Sequence, residues 1–379
     1  MKEFSFGTRI YFGIGALERL SRVRNRRVLI ITDAFMESSG VADKVASYLQ
    51  DDCTVTVFSD VVPDPPIETV AKGVECLKQS SAEVIIAVGG GSVIDAAKAI
   101  RSLASKLLSS SYDISECFAI PTTSGTGSEV TDYAVITDAE KGIKYPMVSS
   151  TLRPQTAILD PTLVLSAPPS ITAESGMDVL THSLETFVST DASDFSDALA
   201  EKATSLVFRF LPIAYRNGKN MAARERMHNA SCMAGMAFNS AGLGLCHGIS
   251  HALGGKLHLP HGKLNAMILP HIIEYNALIE ENGEPSLTVK KYQRLARVLR
   301  LPSDTPNEAV GELIEAVKNL NRELDIPETL KEAGADMGRY EMMFDDIVRD
   351  ALADATTVNN PRSVSKQDVE QILVKLAGI

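Results

Sequence analysis

Tryptophan is absent from the 379 residues, aromatic side chains make up 6%, and only five cysteines occur. Cys53, Cys76, Cys117, Cys232 and Cys246 include no C-x-x-C pair. An odd number spread over a long chain argues against a disulfide framework and against a thiolate zinc site. Positive charge is also scarce: 37 Lys and Arg face 48 Asp and Glu, for a formal net charge of −11. A duplex or an anionic membrane surface would repel such a chain, so nucleic acid and lipid are poor partners. The basic cluster Arg22, Arg24, Arg26 and Arg27 precedes an apolar strand and reads as a solvated face. No run reaches the roughly 18 uninterrupted apolar residues that a bilayer span needs. The opening "MKEFSFGTRIYFG" has no apolar leader core and no cleavage site. The expectation is a soluble, cytoplasmic protein.

What is present falls into two halves. In the first, short apolar runs at 28–32, 55–58, 84–88, 118–120 and 157–159 read as buried strands, being continuous and rich in β-branched residues. Helical patterns at 41–49, 67–78 and 93–107 lie between them. Strand–helix alternation implies a mostly parallel, Rossmann-like sheet covered by helices. The pattern changes at "SAPPS", 166–170, where two prolines end the strands. Beyond it come amphipathic helical stretches at 172–188, 194–216, 222–240, 245–254, 263–280, 286–300, 306–321 and 366–376, and no convincing strand. The expected organisation is an α/β domain over 1–167 and an all-helical domain over 168–379.

Two loops of the first half suit a nucleotide. In "VIIAVGGGSVIDAAKAI", Gly89, Gly90 and Gly91 remove side chains between a strand and a helix. Ser92 reads as the N-cap, with Asp95 three residues on. Amide N–H groups at such a helix start can hold a pyrophosphate, although the spacing is not G-x-G-x-x-G. "IPTTSGTGSEVT" follows the next strand and offers Thr122, Thr123, Ser124, Thr126 and Ser128 as small donors. They stand at the C-terminal edge of a parallel sheet, where such sheets bind ligands. Asp33, at the end of the first sheet strand, would accept hydrogen bonds from a ribose and repel a 2′-phosphate, which favours NAD over NADP.

Histidine is the most uneven residue. Five of the seven fall between His247 and His271. In "GMDVLTHSLETFVS", Asp178 and His182 are four apart, one turn of a helix, among Val179, Leu180, Leu184 and Phe187. A buried carboxylate there needs a strong partner, either the imidazole or a divalent metal. His247 and His251 share the same spacing, and His261 follows a helix end marked by Gly254, Gly255 and Pro260. One carboxylate with two or three imidazoles makes an N/O site that suits Fe²⁺ or Zn²⁺ better than Mg²⁺ or Ca²⁺. His258 and His271 fit helix-surface or outer-sphere roles, and His228 reads as a surface or packing residue.

Five stretches in order resemble the iron-containing, group III metal-dependent alcohol dehydrogenases: "GGGSVIDAAK", "IPTTSGTGSEVT", "GMDVLTHSLETFVS", "GLGLCHGISHALGG" and "LPHGKLNAMILPH". "TRIYFGIGAL", "KGIKYP" and "SDFSDALAEKATSLVF" are similar to the branch that serves 1,2-propanediol-utilising bacterial microcompartments. The resemblance implies a dehydroquinate synthase-like architecture, a homodimer and NAD(H)-linked reduction of short aldehydes such as propionaldehyde to 1-propanol. Butanol, ethanol or a diol remain alternative substrates. It implies that Asp178, His182, His247 and His261 ligate one divalent metal, Fe²⁺ or Zn²⁺, and that His251 relays a proton beside the nicotinamide. Gly90 to Ser92 would hold the pyrophosphate. Thr122, Thr126 and Thr131 would line the cofactor site, with Lys144 and Leu163 near it, and Asp33 and Asp64 at the adenosine end. Microcompartment proteins become possible partners. Met233, Met236 and Phe238 would shape an alcohol pocket from the helical side. Cys246, beside the first of the later histidines, is expected to add sensitivity to oxidation.

Other classes fit less well. A dehydroquinate synthase-like lyase needs a basic phosphate pocket and a Glu-plus-two-His metal set. Glycerol dehydrogenases lack the fourth ligand, and a structural metal module would not need the two cofactor loops.

Overall fold

The computed structural model describes residues 4–107, 114–138, 143–277, 280–281 and 284–378. Lys141 and Gly142 of "KGIKYP" and residues 278–279 of the helix expected over 263–280 lie outside them. Two compact units result. One comprises Ser5–Ala167 with Lys219–Asn239; the other holds Pro168–Gly218 and the chain from Ser240 onward, with Phe4.

The first unit is built on strands β1 (Arg9–Phe12), β2 (Arg27–Asp33), β3 (Thr54–Val61), β4 (Val84–Gly89) and β5 (Glu116–Pro121), an antiparallel pair β6 (Tyr133–Asp138) and β7 (Ile143–Val148), and β8 (Thr156–Leu159). The six-stranded sheet runs β1-β8-β5-β4-β2-β3, and all five of its pairings are parallel. Helices α1 (Ala34–Ser38), α2 (Val41–Ala46), α3 (Ile67–Ser80) and α4 (Gly91–Leu107) connect the strands. Alternate residues of the same strands enter different cores. Leu29, Ile31, Ile85, Ala87, Cys117 and Ala119 pack with Val70, Leu77, Ile94 and Ile100 of α3 and α4. Val28, Ile30, Val84, Ile86, Phe118 and Ile120 pack with Leu17, Leu20 and Val45 on the opposite face. A sheet buried on both faces needs continuous apolar strands, which explains the unbroken runs in the sequence.

Helices α5 (Pro169–Val188), α6 (Asp194–Arg216), α7 (Met221–Ala241), α8 (Leu245–Leu257), α9 (His261–Ala277), α10 (Leu287–Leu299), α11 (Pro306–Glu323), α12 (Met337–Ala353) and α13 (Lys366–Ala377) follow. All but α7 build the second unit. The expectation of one domain over 168–379 is thereby corrected at α7, whose residues up to Asn239 belong with the sheet. The reason is a glycine contact: a Cβ on Gly235 would lie 2.8 Å from the Gly127 carbonyl oxygen. Only two bare backbones approach so closely, and Gly127 also has a positive φ of 61°. Cys232 and Met236 then join Val130, Ala157 and Leu159 in a small core. Met233, Met236 and Phe238 therefore belong to the sheet unit and not to the helical one.

Two further elements lie outside the expected set: α12, and the short pairing of Glu280–Glu281 with Glu284–Pro285. Among the described residues, no helix is long and apolar enough to cross a membrane.

Candidate functional site

Three helices of the second unit bring the histidine-rich stretches together. α5 is buried nearly all round, from Thr172 to Val188. Asp178 and His182 lie one turn apart on it, 4% and 5% exposed. α9 begins at His261, and its next residue is Gly262, where a Cβ would stand 2.2 Å from the Glu174 carbonyl oxygen. The missing side chain lets α9 press on α5 one turn before Asp178. At Gly248 a Cβ would lie 2.2 Å from Thr357 Oγ1, so α8 is equally tight against the segment after α12.

One oxygen is the centre of the cluster. The Nε2 atoms of His182, His247 and His261 stand 3.7, 3.6 and 3.5 Å from Asp178 Oδ1. These separations are too long for good hydrogen bonds. They match the spacing of ligands around a cation, because bonds of about 2.1 Å at tetrahedral angles place neighbouring donor atoms about 3.4 Å apart. Asp178, His247 and His261 offer donor atoms all within 4.8 Å of one another. The His182 and His247 rings stack at 4.7 Å between centroids. The residues present therefore fit a divalent, N/O-coordinated ion.

The outward ring nitrogens of His247 and His261 are held. His247 Nδ1 donates to Glu185 Oε2 at 2.6 Å, and Glu185 Oε1 accepts the Cys246 N–H at 2.5 Å. Ser250 Oγ is 3.0 Å from His261 Nδ1. Such partners orient metal-binding imidazoles and fix the tautomer that presents Nε2. The Asn265 side-chain amide donates to Asp178 Oδ1 at 2.8 Å and lies 3.2 and 3.0 Å from the Nε2 atoms of His247 and His261.

Charge follows geometry. Burial alone would raise the Asp178 carboxyl, but the surrounding imidazoles, His182 first, hold it well below the usual carboxylate range. Burial pulls His182 down to about 4, against Asp178. For His247, burial is outweighed by Glu185 and Asp178, which lift it to about 9.

His251 lies one turn beyond His247, its side chain 42% exposed, and its Nδ1 donates to Asp354 Oδ2 at 2.9 Å. Its ring stacks on that of His261 at 5.2 Å. His258 ends α8 in a left-handed conformation and is exposed. His228 is packed, at 1% exposure, with Nδ1 3.0 Å from Ser124 Oγ. The expected oxidation sensitivity of Cys246 is corrected: the residue is fully buried and burial pushes its thiol well above the ordinary value, whereas reactive cysteines are accessible thiolates.

The expected cofactor residues lie in the sheet unit. α4 starts at Gly91, since the N–H groups of Val93 and Ile94 both bond to the Gly90 carbonyl. Gly90 is thus the capping position and Ser92 stands in the first turn, where its hydroxyl accepts the Asp64 N–H at 3.3 Å. That corrects the placement of Ser92 as N-cap. The first amides of the helix have no intrahelical acceptor and remain suited to an anion. Both neighbouring glycines are sterically required: a Cβ on Gly89 would meet Val93 Cγ2 at 2.5 Å and one on Gly91 would meet Thr126 Cγ2 at 2.6 Å. Gly90 faces Thr123 at 3.6 Å.

Thr122 N donates to the Gly89 carbonyl, tying the two loops. Thr122 Oγ1 is buried and, among the described residues, has no hydrogen-bond partner, as a hydroxyl reserved for a ligand would be. Thr131 Oγ1 accepts from Lys98. Asp33 accepts the Met36 N–H at 2.9 Å, capping α1. Asp64 and Lys144 form an exposed ion pair at 2.6 Å. Leu163 is 4% exposed and packs with Leu17 and Leu20.

Sequence reasoning missed Glu185, Asn265, Ser250 and Asp354. The first three had a signal, standing three residues after His182, four after His261 and three after His247. Asp354 had none.

Family models match both halves. "Iron-containing alcohol dehydrogenase" covers residues 7–161, and "Fe-containing alcohol dehydrogenase family, C-terminal" covers 172–377. The chain is 45% identical over 99% of its length to the whole of a 1-propanol dehydrogenase of Citrobacter freundii. It is 38% identical, over 98% of itself and 97% of the relative, to an NADPH-dependent butanol dehydrogenase of Clostridium saccharobutylicum. Among solved structures, sulfoacetaldehyde reductase from Bifidobacterium kashiwanohense in complex with NAD+ superposes with a TM-score of 0.86 at 29% identity, covering 100% of this chain and 99% of that one.

Proposed function

The chain belongs to the iron-containing alcohol dehydrogenase family, and we propose that it uses NADH to reduce short aldehydes to primary alcohols, with propionaldehyde and 1-propanol the preferred pair. In this reading Asp178, His182, His247 and His261 hold the metal. The observation that carries it is the approach of three imidazole Nε2 atoms to one carboxylate oxygen at 3.5 to 3.7 Å. When bound, a divalent ion supplies Lewis acidity to a hydroxyl or carbonyl group, and a nicotinamide carries the hydride.

The chain's own residues do the rest. Asp178 supplies the negative charge and the imidazoles neutral nitrogen, His247 giving up a proton to do so, a mixed set that suits iron or zinc. Glu185 and Ser250 hold two of the rings in place. Asp354 accepts from Nδ1 of His251, which leaves Nε2, on a side chain open to solvent, to take a proton from water and pass it to the oxygen of an aldehyde becoming an alcohol. The amides at the start of α4 receive the pyrophosphate, and Thr122, Thr123, Thr126 and Thr131 flank it. Asp33 selects the unphosphorylated ribose. The name of the 45% identical relative supports the three-carbon substrate. The likeness of the stretches around Thr8, Lys144 and Asp194 to the branch that serves microcompartments supports a place in one.

The test is a panel from acetaldehyde to hexanal, run anaerobically with NADH and with NADPH, with metal analysis of the same preparation. Propionaldehyde should show the highest kcat/KM with NADH. Equal or better turnover of longer aldehydes, or dependence on NADPH, would overturn the assignment of substrate or cofactor respectively.

A further inference from the structure

Lys98 is fully buried although it carries an ammonium group. It lies on α4, two turns beyond the glycine loop. Its Nζ donates to Ser128 Oγ at 2.7 Å, Thr131 Oγ1 at 3.1 Å and the Tyr133 carbonyl at 2.7 Å, which uses all three N–H bonds. One turn earlier on the same helix, Asp95 accepts from Ser128 Oγ at 2.5 Å and from the Val135 N–H at 3.0 Å. Ser128 is therefore gripped from both sides. A single helix carries the glycine loop at its start and, on its next turns, two side chains that bind the end of the second hydroxyl-rich loop and the strand beyond it.

An apolar side chain would fill the space of Lys98 without burying a charge. Burial pulls the ammonium down to about 8, while Asp95 and Glu129 oppose the fall. A buried ionic network is weak support for stability but a good device for fixing one arrangement among several. What this one fixes is the spacing between the two loops assigned above to the dinucleotide.

We propose that Lys98, with Asp95, is a positioning residue for the cofactor: it locks the 122–131 loop to the glycine loop so that both halves of the dinucleotide surface keep one spacing. The inference rests on the reading of these loops as the NAD site. It is tested by NADH fluorescence titration of the wild type, Lys98→Met and Ser128→Ala, with bound metal measured on each.

The wild type should bind NADH. Lys98→Met should weaken the Kd by roughly tenfold or more at an unchanged titration end-point, as loosely supported sites do. Its KM for NADH should rise in step while bound metal and the KM for aldehyde hold. Ser128→Ala should weaken NADH about threefold. A merely structural lysine would lower the end-point, the fraction of competent molecules, and leave the Kd alone; that result overturns the proposal. If Lys98→Met does not fold, Ser128→Ala decides, and a wild-type Kd there overturns it. A wild type that binds no NADH removes the cofactor reading and this inference together, whereas binding that is indifferent to both substitutions removes the inference only.

Discussion

Glu185 and His247 form a buried carboxylate–imidazole pair, 2.6 Å apart and with side chains 3% and 1% exposed. Glu185 stands on α5, which also carries Asp178 and His182, so one helix provides two of the proposed ligands and the support of a third. Glu185→Gln preserves shape but offers a neutral acceptor. Metal affinity should fall by about 10-fold to 100-fold, the usual cost of losing such a support. Competition with a chelator of known affinity measures it, and affinity equal to the wild type would remove Glu185 from the account.

Asp354 and His251 are 103 residues apart in sequence and joined by one hydrogen bond. Asp354→Asn should leave bound metal unchanged and reduce kcat by roughly 10-fold to 100-fold, less than the loss expected when a proton-transfer imidazole is removed outright. Loss of metal together with activity would make the residue a structural support rather than an orienter of His251.

Asp33 combines two jobs: it caps α1 and presents a carboxylate at the end of β2. Asp33→Ser keeps a capping oxygen and removes the charge that repels a 2′-phosphate. The ratio of kcat/KM with NADPH to that with NADH should rise by about tenfold or more. A ratio that does not move would place cofactor choice elsewhere.

Glu129 is 2% exposed, and burial pushes its carboxyl up to about 7 from 4.5, against the pull of its own backbone N–H and of Lys98. A raised carboxyl makes the folded state bind the extra proton. Its stabilisation is complete below about pH 4.5 and is lost as pH rises through about 7. Glu129→Gln cannot ionise. The fall in melting temperature between pH 5 and pH 7.5 (roughly the window between the two pKa values) should be smaller in the variant than in the wild type. Parallel profiles would show that Glu129 does not titrate in that window.

Local pattern carried much of this structure. The alternating cores of β2, β4 and β5 were legible because a doubly covered strand is apolar throughout. Asp178 and His182 were legible because i and i+4 share a helix face. The same rule would have found Glu185, three residues after His182. It could not find Asp354, whose partner is set only by the packing of α8 at Gly248, nor the membership of α7, since an amphipathic stripe does not say which neighbour covers it. That depended on the backbone contact of Gly127 with Gly235. The pattern was underused in α12, where Tyr340, Ile347, Val348 and Ala351 are buried at helical spacing behind an Asp336 cap.

The account stands on one ion shared by Asp178, His182, His247 and His261, and metal content of His261→Ala beside the wild type tests it most directly. His261 begins α9 with its side chain 41% exposed, so its loss should spare the fold. The account predicts a wild type that holds a single iron or zinc per chain, and a folded variant that loses most of that metal along with aldehyde reduction. A variant that keeps both its metal and its activity would contradict it.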